Sequence, residues 1–357
     1  KYVPDWVLSL TPYQPGKPIE EVEREYGISN SVKIASNENP LGPSPKAIAA
    51  ITAALPQLNL YPDGDAFYLK KRMAEKFGLD RSRLIIGNGS NELIEMIVRT
   101  FLRVGESIVA AEHAFAIYHL CVHAAGGHTI SVPHKGFAFD LDAMAGAITS
   151  DTRIIFLDNP NNPTGTIYTR ANWEAFLEKV PHDVVIVVDE AYFEFVEDAN
   201  YPNSLDYHSA ERLLITLRTF SKIYGLAGIR VGYGISSPEV IDALNRIRQP
   251  FNVNALAQIG ALAALDDADH IRRTQENNRH GLVYLRRELD RLGLRYAPSW
   301  GNFLLVKVGA GVSQQLLPQG IIIRPMEVYG YPGYARVSVG LPEENERFIT
   351  AMEKLRQ

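Results

Sequence analysis

The sequence predicts an α/β fold, with a large domain built on a mainly parallel seven-stranded sheet and a smaller α+β domain attached to it. Three observations predict this. Seven β-rich runs lie at 84–87, 107–111, 128–132, 153–157, 184–188, 213–217 and 231–235, most of them separated by helical or mixed stretches. That alternation builds a mainly parallel sheet covered by helices. The run at 184–188 is Val-Val-Ile-Val-Val, the continuous β-branched composition of a central strand buried on both faces. Beyond about residue 254 the pattern changes to long helix and then short apolar runs, which marks a second unit. A chain of 357 residues is ample for a large core divided between two domains.

Taken in order, residues 1–39 form an arm rich in turn residues that is predicted to pack on the smaller domain. Residues 40–255 form the large domain and 256–357 the small one. Between the first two strands, Leu93, Ile94, Ile97, Val98, Phe101 and Leu102 recur at helical spacing. Residues 254–292 read as helix with a break at Asp266-Asp267, and the runs 303–308, 321–324 and 335–339 read as strands of the small domain. No internal repeat or low-complexity tract interrupts this plan.

The formal net charge of −5 exerts no long-range pull on nucleic acid. The single cysteine, Cys121, excludes an intrachain disulfide framework, suits a reducing compartment and reads as buried filler. No apolar run approaches a membrane span, and Lys1-Tyr2-Val3-Pro4-Asp5 lacks a secretory apolar region. The expectation is a cytoplasmic protein. The missing initiator methionine predicts a trimmed N terminus.

Chemistry-bearing residues concentrate where strands end. Lys222 follows the strand at 213–217, with Thr219 and Ser221 just upstream and Arg230 eight residues downstream. Its amine emerges at the carboxyl edge of the sheet, where open α/β folds bind ligands, and the hydroxyls and arginine suit a phosphate. A lysine beside a phosphate site suggests covalent attachment of pyridoxal phosphate (PLP). Asp189 ends the strand at 184–188, and a carboxylate there can keep a pyridine nitrogen protonated. After the strand at 153–157, Asn159-Pro160-Asn161-Asn162-Pro163-Thr164-Gly165 forces an irregular turn that leaves Asn162 as a donor. Ser90 and Asn91 open a helix whose free amides and dipole attract phosphate.

Competing readings exist. Gly87-x-Gly89-x-x-Glu92, with Glu112 ending the next strand, is a near miss to a dinucleotide fingerprint. A nicotinamide-dependent oxidoreductase is therefore the reading from another class, although it leaves Lys222, Asp189 and Asn162 unexplained. His113, His119, His123, His128 and His134 cluster, and His119 and His123 share a helical face at a spacing that can hold zinc. No third ligand accompanies them, so no metal is expected and any role for the cluster stays open. Arg324 and Arg336 border apolar strands, where a guanidinium needs either an anionic ligand or an internal ion pair.

The ordered set Asn162-Pro-Thr-Gly, Asp189-Glu-Ala-Tyr192 and Thr219-x-x-Lys222 with Arg230 resembles the fold-type I PLP-dependent aminotransferases over nearly the whole chain. Within them the likeness is to the histidinol-phosphate aminotransferases. It rests on Leu10-Thr11-Pro12-Tyr13, Ala35-Ser36-Asn37-Glu38-Asn39-Pro40, Tyr61-Pro62-Asp63, Gly87-Asn88-Gly89-Ser90-Asn91-Glu92 and Val337-Ser338-Val339-Gly340 after Arg336. The resemblance implies a homodimer that uses PLP to move an amino group between histidinol phosphate and 2-oxoglutarate in histidine biosynthesis. It implies that Lys222 carries the cofactor, Asp189 pairs with its ring nitrogen, and Tyr192 and Asn162 contact its ring oxygen. Phe115 stacks on the ring, while Ser90, Asn91, Thr219, Ser221, Arg230 and Tyr61 from the partner subunit hold the phosphate. Arg336 takes the substrate carboxylate; Arg324, Tyr13 and Asn37 complete the substrate site. Glu112-His113-Ala114-Phe115 departs from the commoner proline and threonine before the aromatic. Aromatic transamination and threonine-phosphate decarboxylation are alternatives on the same scaffold.

Overall fold

The computed structural model describes residues 2–13 and 15–356. A short strand, β1 (Val32–Lys33), precedes seven strands of one sheet: β2 (Leu84–Gly87), β3 (Ser107–Ala111), β4 (His128–Val132), β5 (Thr152–Asp158), β6 (Val185–Asp189), β7 (Leu214–Thr219) and β8 (Gly232–Ile235). Their order across the sheet is β2-β8-β7-β6-β5-β3-β4. Every neighbouring pair is parallel except those made by β8, which runs antiparallel to β2 and to β7. All seven strands fall where the sequence placed them, their ends shifted by at most two residues.

The sheet is buried on both faces, as its β-branched strands require. On one face, Val185 and Val187 pack with Leu93, Ile97, Tyr118 and Val122 from the helices Ser90–Phe101 and Ala116–Ala124. On the other, Ile186 and Val188 pack with Trp173 and Phe176 of the helix Arg170–Leu177. Because strand side chains alternate, Asp189 falls on the same face as Val185 and Val187. Its carboxyl therefore points into the layer that holds Tyr118.

The helical stretch after residue 254 breaks where its sequence indicated, into Ala255–Leu265 and Ala268–Arg291. Asp267 caps the second helix through His270 N–H at 3.4 Å and accepts the Ser44 hydroxyl at 2.6 Å. The long helix lays Leu282, Leu285 and Leu289 against Phe348, Ile349 and Met352 of the helix Pro342–Lys354. The strand β9 (Phe303–Lys307) belongs to this region. The apolar run at 321–324 divides between two sheets instead of forming one strand. β10 (Ile321–Ile322) pairs in parallel with β1, whereas β11 (Arg324–Pro325) pairs antiparallel with β12 (Tyr334–Ser338), which in turn pairs with β9. This switch turns Arg324 towards the large sheet.

The arm contains two helices, Asp5–Leu8 and Ile19–Tyr26, that its turn-rich composition concealed. Its strand β1 is docked on β10, while Trp6 lies beside Gly126 at the end of the helix Ala116–Ala124. Among the described residues, no helix is long and apolar enough to cross a membrane.

Candidate active site

The carboxyl ends of β5, β6 and β7 converge on a cavity of about 220 Å³ between the large sheet and β11–β12. Ser90, Asn91, Phe115, Asn162, Asp189, Tyr192, Thr219, Ser221, Lys222, Arg230, Tyr13, Arg324 and Arg336 all line it. Residues separated by more than 300 positions are thus brought to one enclosure by the sheet edge and the returning strands β11 and β12.

Asp189 is 4 % exposed. One carboxyl oxygen accepts the Tyr118 hydroxyl at 3.0 Å and the other accepts the Ala191 N–H at 3.1 Å. Burial pushes its pKa up to about 6, with the Tyr118 bond opposing that rise. Asp189 therefore remains mostly ionised at neutral pH and is ready to meet a cation in the cavity.

Lys222 reaches in from the loop after β7. Its Nζ donates to the Ser36 carbonyl at 3.2 Å and lies 5.7 Å from the centre of the Tyr192 ring. Enclosure by protein lowers its pKa to about 8; the nearby Arg336 and Arg230 push the same way, and Glu38 and Asp189 oppose. A substantial neutral fraction near physiological pH makes this amine a nucleophile, a state that an ordinary exposed lysine reaches only in more alkaline solution. Tyr192, 4 % exposed, accepts the Asn37 side-chain amide at 2.9 Å. Burial raises its hydroxyl pKa to about 12, against the pull of the Arg336 charge.

At one end the site forms an anion cradle. Gly89 adopts φ +76° before the helix Ser90–Phe101. A Cβ there would lie 2.4 Å from the Arg230 guanidinium. Glycine is thus required both by the backbone and by the approach of Arg230 to the helix N terminus. Arg230, itself at φ +58°, donates to the Ser221 hydroxyl at 3.5 Å and the Ala227 carbonyl at 3.1 Å. Thr219 Oγ1 accepts the Ser221 N–H at 3.0 Å, fixing the loop.

The dinucleotide reading fails on topology. β2 is an edge strand antiparallel to β8, so the glycines do not open a parallel β-α-β unit. Glu92 is consumed locally, accepting the Asn88 N–H at 2.6 Å and the Asn252 amide at 2.7 Å.

At the other end, Arg324 and Arg336 face each other in register across β11 and β12. Arg336 donates to Asn162 Oδ1 at 2.6 Å and to the Ala35 carbonyl at 2.8 Å. Burial lowers its pKa, and among the described residues no carboxylate forms an ion pair with it. Arg324, 8 % exposed, donates to the Tyr329 hydroxyl at 2.7 Å. Its guanidinium lies 5.5 Å from the Tyr13 ring and 5.6 Å from the Tyr329 ring. Together they make a second cationic pocket with two phenolic hydroxyls.

Two expected site residues stand apart. Asn37 lies behind the cavity, its amide on Tyr192 and its Oδ1 accepting the Ser338 hydroxyl at 2.8 Å. Tyr61 is 83 % exposed and stacks on Phe251 at 4.9 Å, on the outer surface. Sequence reasoning missed Tyr118, Asp158 and Tyr329. Helical spacing from Phe115 could have indicated Tyr118, and strand alternation with Phe156 could have indicated Asp158. No sequence signal distinguishes Tyr329. Of the histidines, His113 packs 4.3 Å from Tyr331, and His134 Nδ1 lies 3.0 Å from the Tyr331 hydroxyl. Among the described residues, no three groups gather as metal ligands.

The family described as "Aminotransferase class I and II" matches residues 29–352. Histidinol-phosphate aminotransferase of Moorella thermoacetica is 48 % identical over 353 residues, covering 98 % of this chain and 92 % of that protein. Histidinol-phosphate aminotransferase 1 of Nitrosococcus oceani is also 48 % identical, over 97 % of this chain and 95 % of its own. The crystal structure of the Sinorhizobium meliloti histidinol-phosphate aminotransferase, solved in complex with pyridoxal-5'-phosphate, superposes with a TM-score of 0.90 at 27 % identity. It covers 99 % of this chain and 98 % of that one. With this fold, this cavity and these likenesses over its whole length, the chain belongs to the class I and II aminotransferases, among the histidinol-phosphate aminotransferases.

Proposed function

We propose that this chain is a PLP-dependent transaminase that moves an amino group between L-histidinol phosphate and 2-oxoglutarate, giving imidazole acetol phosphate and glutamate in histidine biosynthesis. The observation that carries this reading is a single cavity joining a lysine of lowered pKa, a buried carboxylate and two separate cationic pockets. The residues fit PLP: the Gly89–Arg230 approach and the open helix N terminus suit its phosphate, and Asp189 suits its ring nitrogen.

When bound, PLP supplies a sink for the electrons left on the substrate's α-carbon. Lys222 anchors the cofactor, is displaced by the substrate amine, and then carries the proton from the α-carbon. Asp189 holds the ring nitrogen protonated, and Tyr118 keeps Asp189 ionised and aimed. Tyr192 and Asn162 donate to the ring oxygen, while Phe115 packs on the ring face. Ser90, Asn91, Thr219, Ser221 and Arg230 hold the phosphate. We assign the large domain to residues 40–255, the small domain to 256–357 and the arm to 1–39. The exposed Tyr61 supports a homodimer in which each copy completes the phosphate site of the other.

The two arginines of the second pocket divide the substrates. Glutamate carries two carboxylates, whereas histidinol phosphate carries a phosphate and an imidazole and no carboxylate. Arg336, paired with Asn162 and the Ala35 carbonyl, serves the carboxylate. Arg324, with Tyr13 and Tyr329, serves the distal phosphate. Arg336→Ala is expected to damage the glutamate half-reaction most. Arg324→Ala is expected to damage the histidinol phosphate half-reaction selectively, by about 2–4 kcal/mol. Single-turnover rates for each half-reaction check this, and equal losses in both would refute the division.

The lowered pKa of Lys222 has a pH signature. Only the neutral amine attacks, so PLP capture by the apo-protein should slow by roughly tenfold per unit below the pKa. The expected rate profile levels off above about 8. A stopped-flow profile still rising towards the ordinary lysine value of 10.5 would show that the enclosure does not lower the pKa.

A further inference from the structure

Beside Asp189 lies a second carboxyl that the transamination scheme does not use. Asp158 ends β5, in register with Asp189 at the end of β6, and the two strands are adjacent and parallel. Both side chains therefore project from the same face of the sheet. Asp158 is 3 % exposed and lines the cavity. Its Oδ2 is committed, accepting the Asn162 N–H at 2.8 Å and the Asn161 amide at 3.1 Å. Its Oδ1 is buried and has no partner among the described residues. On that face the Tyr118 hydroxyl donates to Asp189 instead.

A buried oxygen with nothing to accept from is costly as half of a carboxylate, but serviceable as the O–H of a carboxylic acid. We infer that Asp158 stands in the cleft as a neutral carboxylic acid, donating a hydrogen bond from Oδ1 to the cleft's occupant, while Asp189 alone carries the negative charge of that floor. Two adjacent buried carboxyls cannot both ionise cheaply, and an apolar site can keep one protonated as a donor. Of the groups facing Asp158, the carboxylate favours its neutral form and the cations oppose it. Asp189 stands on the next strand, and Tyr118, Tyr168 and Tyr192 approach as neutral phenols. The cavity's cations are Lys222, Arg230, Arg324 and Arg336. Burial pushes the Asp158 pKa up to about 8; the Asn162 N–H opposes the rise and Asp189 adds to it. Through Oδ2, Asp158 also fixes the turn that carries Asn162.

This inference rests on the cofactor reading, and its test separates the two. Infrared spectra of the apo-protein near neutral pH should show a protonated carboxyl band that is missing from Asp158→Asn. The difference spectrum is needed because burial also pushes Glu194 up to about 7. In the parent this component should vanish as pH rises through about 8, an observation that needs no variant. PLP affinity, followed by the bound cofactor's absorbance, should stay within about threefold for Asp158→Asn, because the carboxamide keeps an acceptor for the turn and a donor for the cleft. Asp158→Ala has neither and should lose roughly tenfold or more. Absence of the protonated band, or an Asp158→Asn loss as large as that of Asp158→Ala, overturns the inference. Failure of the parent to take up PLP while the band is present overturns the cofactor reading instead.

Discussion

Lys222→Ala is expected to abolish transamination while leaving the protein folded and able to bind PLP. The change removes one hydrogen bond, from Nζ to the Ser36 carbonyl, together with an amine whose cost of enclosure has already lowered its pKa. Stability should therefore change little. On its proposed roles, the variant would lose both the covalent anchor and the group that moves the α-proton, so the expected fall exceeds about 10⁴-fold, the upper end of what general acid–base catalysis alone supplies. Borohydride reduction of the parent should fix the cofactor's mass to the peptide that carries Lys222, and no such adduct should form in the variant. A variant that turns over within about a hundredfold of the parent, the lower end of that range, or an adduct on another lysine, would contradict the assignment.

Asp189→Ala carries the next largest effect. Asp189 lies too deep to serve solubility, and its two oxygens are held by Tyr118 and by the Ala191 N–H. Its charge therefore points in a fixed direction, the condition under which a placed group is worth most in a water-poor site. Without that charge, a proton on the cofactor's ring nitrogen would lose its partner and the electron sink would weaken. Single-turnover rates should drop by roughly 10²–10³-fold, with PLP affinity reduced as well. The tyrosine bond contributes to this. Tyr118→Phe should let the Asp189 pKa rise further above about 6, so its activity loss should be greatest at mildly acidic pH. A rate within a few-fold of the parent for Asp189→Ala would eliminate the electron-sink role.

Much of this was legible in the sequence because the decisive features are local. The β-branched runs announced the strands, and the polar residues at their ends announced the cavity edge. Asn162, Asp189 and Lys222 were found because each stands at, or a few residues beyond, the end of one of three adjacent strands. The helix break at Asp266-Asp267 was visible because a cap and a break share the same residue types. What escaped depends on non-local geometry. The run at 321–324 reads as one strand, yet its halves join different sheets, a choice made by β1 on one side and β12 on the other. Tyr329 enters the site only because that switch brings Arg324 beneath it. Asp158 reads as a loop residue before Asn159 until the register with Asp189 is known. Tyr61 shows the opposite limit. Its motif implied a place beside the phosphate, yet in this chain it is exposed and stacks on Phe251.

The fold and cofactor serve several reactions on one scaffold, so the substrate decides the function. The most direct measurement is a half-reaction panel on the PLP-loaded parent protein with histidinol phosphate, phenylalanine, tyrosine, glutamate and threonine phosphate, each followed by loss of the bound cofactor's absorbance. Arg324, Tyr13 and Tyr329 together form a cationic pocket with phenolic donors. That pocket suits a phosphate, whereas an aromatic amino acid has no distal anion to place in it. Histidinol phosphate should react fastest of the phosphorylated and aromatic compounds, and this advantage should disappear in Arg324→Ala. Faster reaction with phenylalanine or tyrosine, or release of carbon dioxide from threonine phosphate, would contradict it.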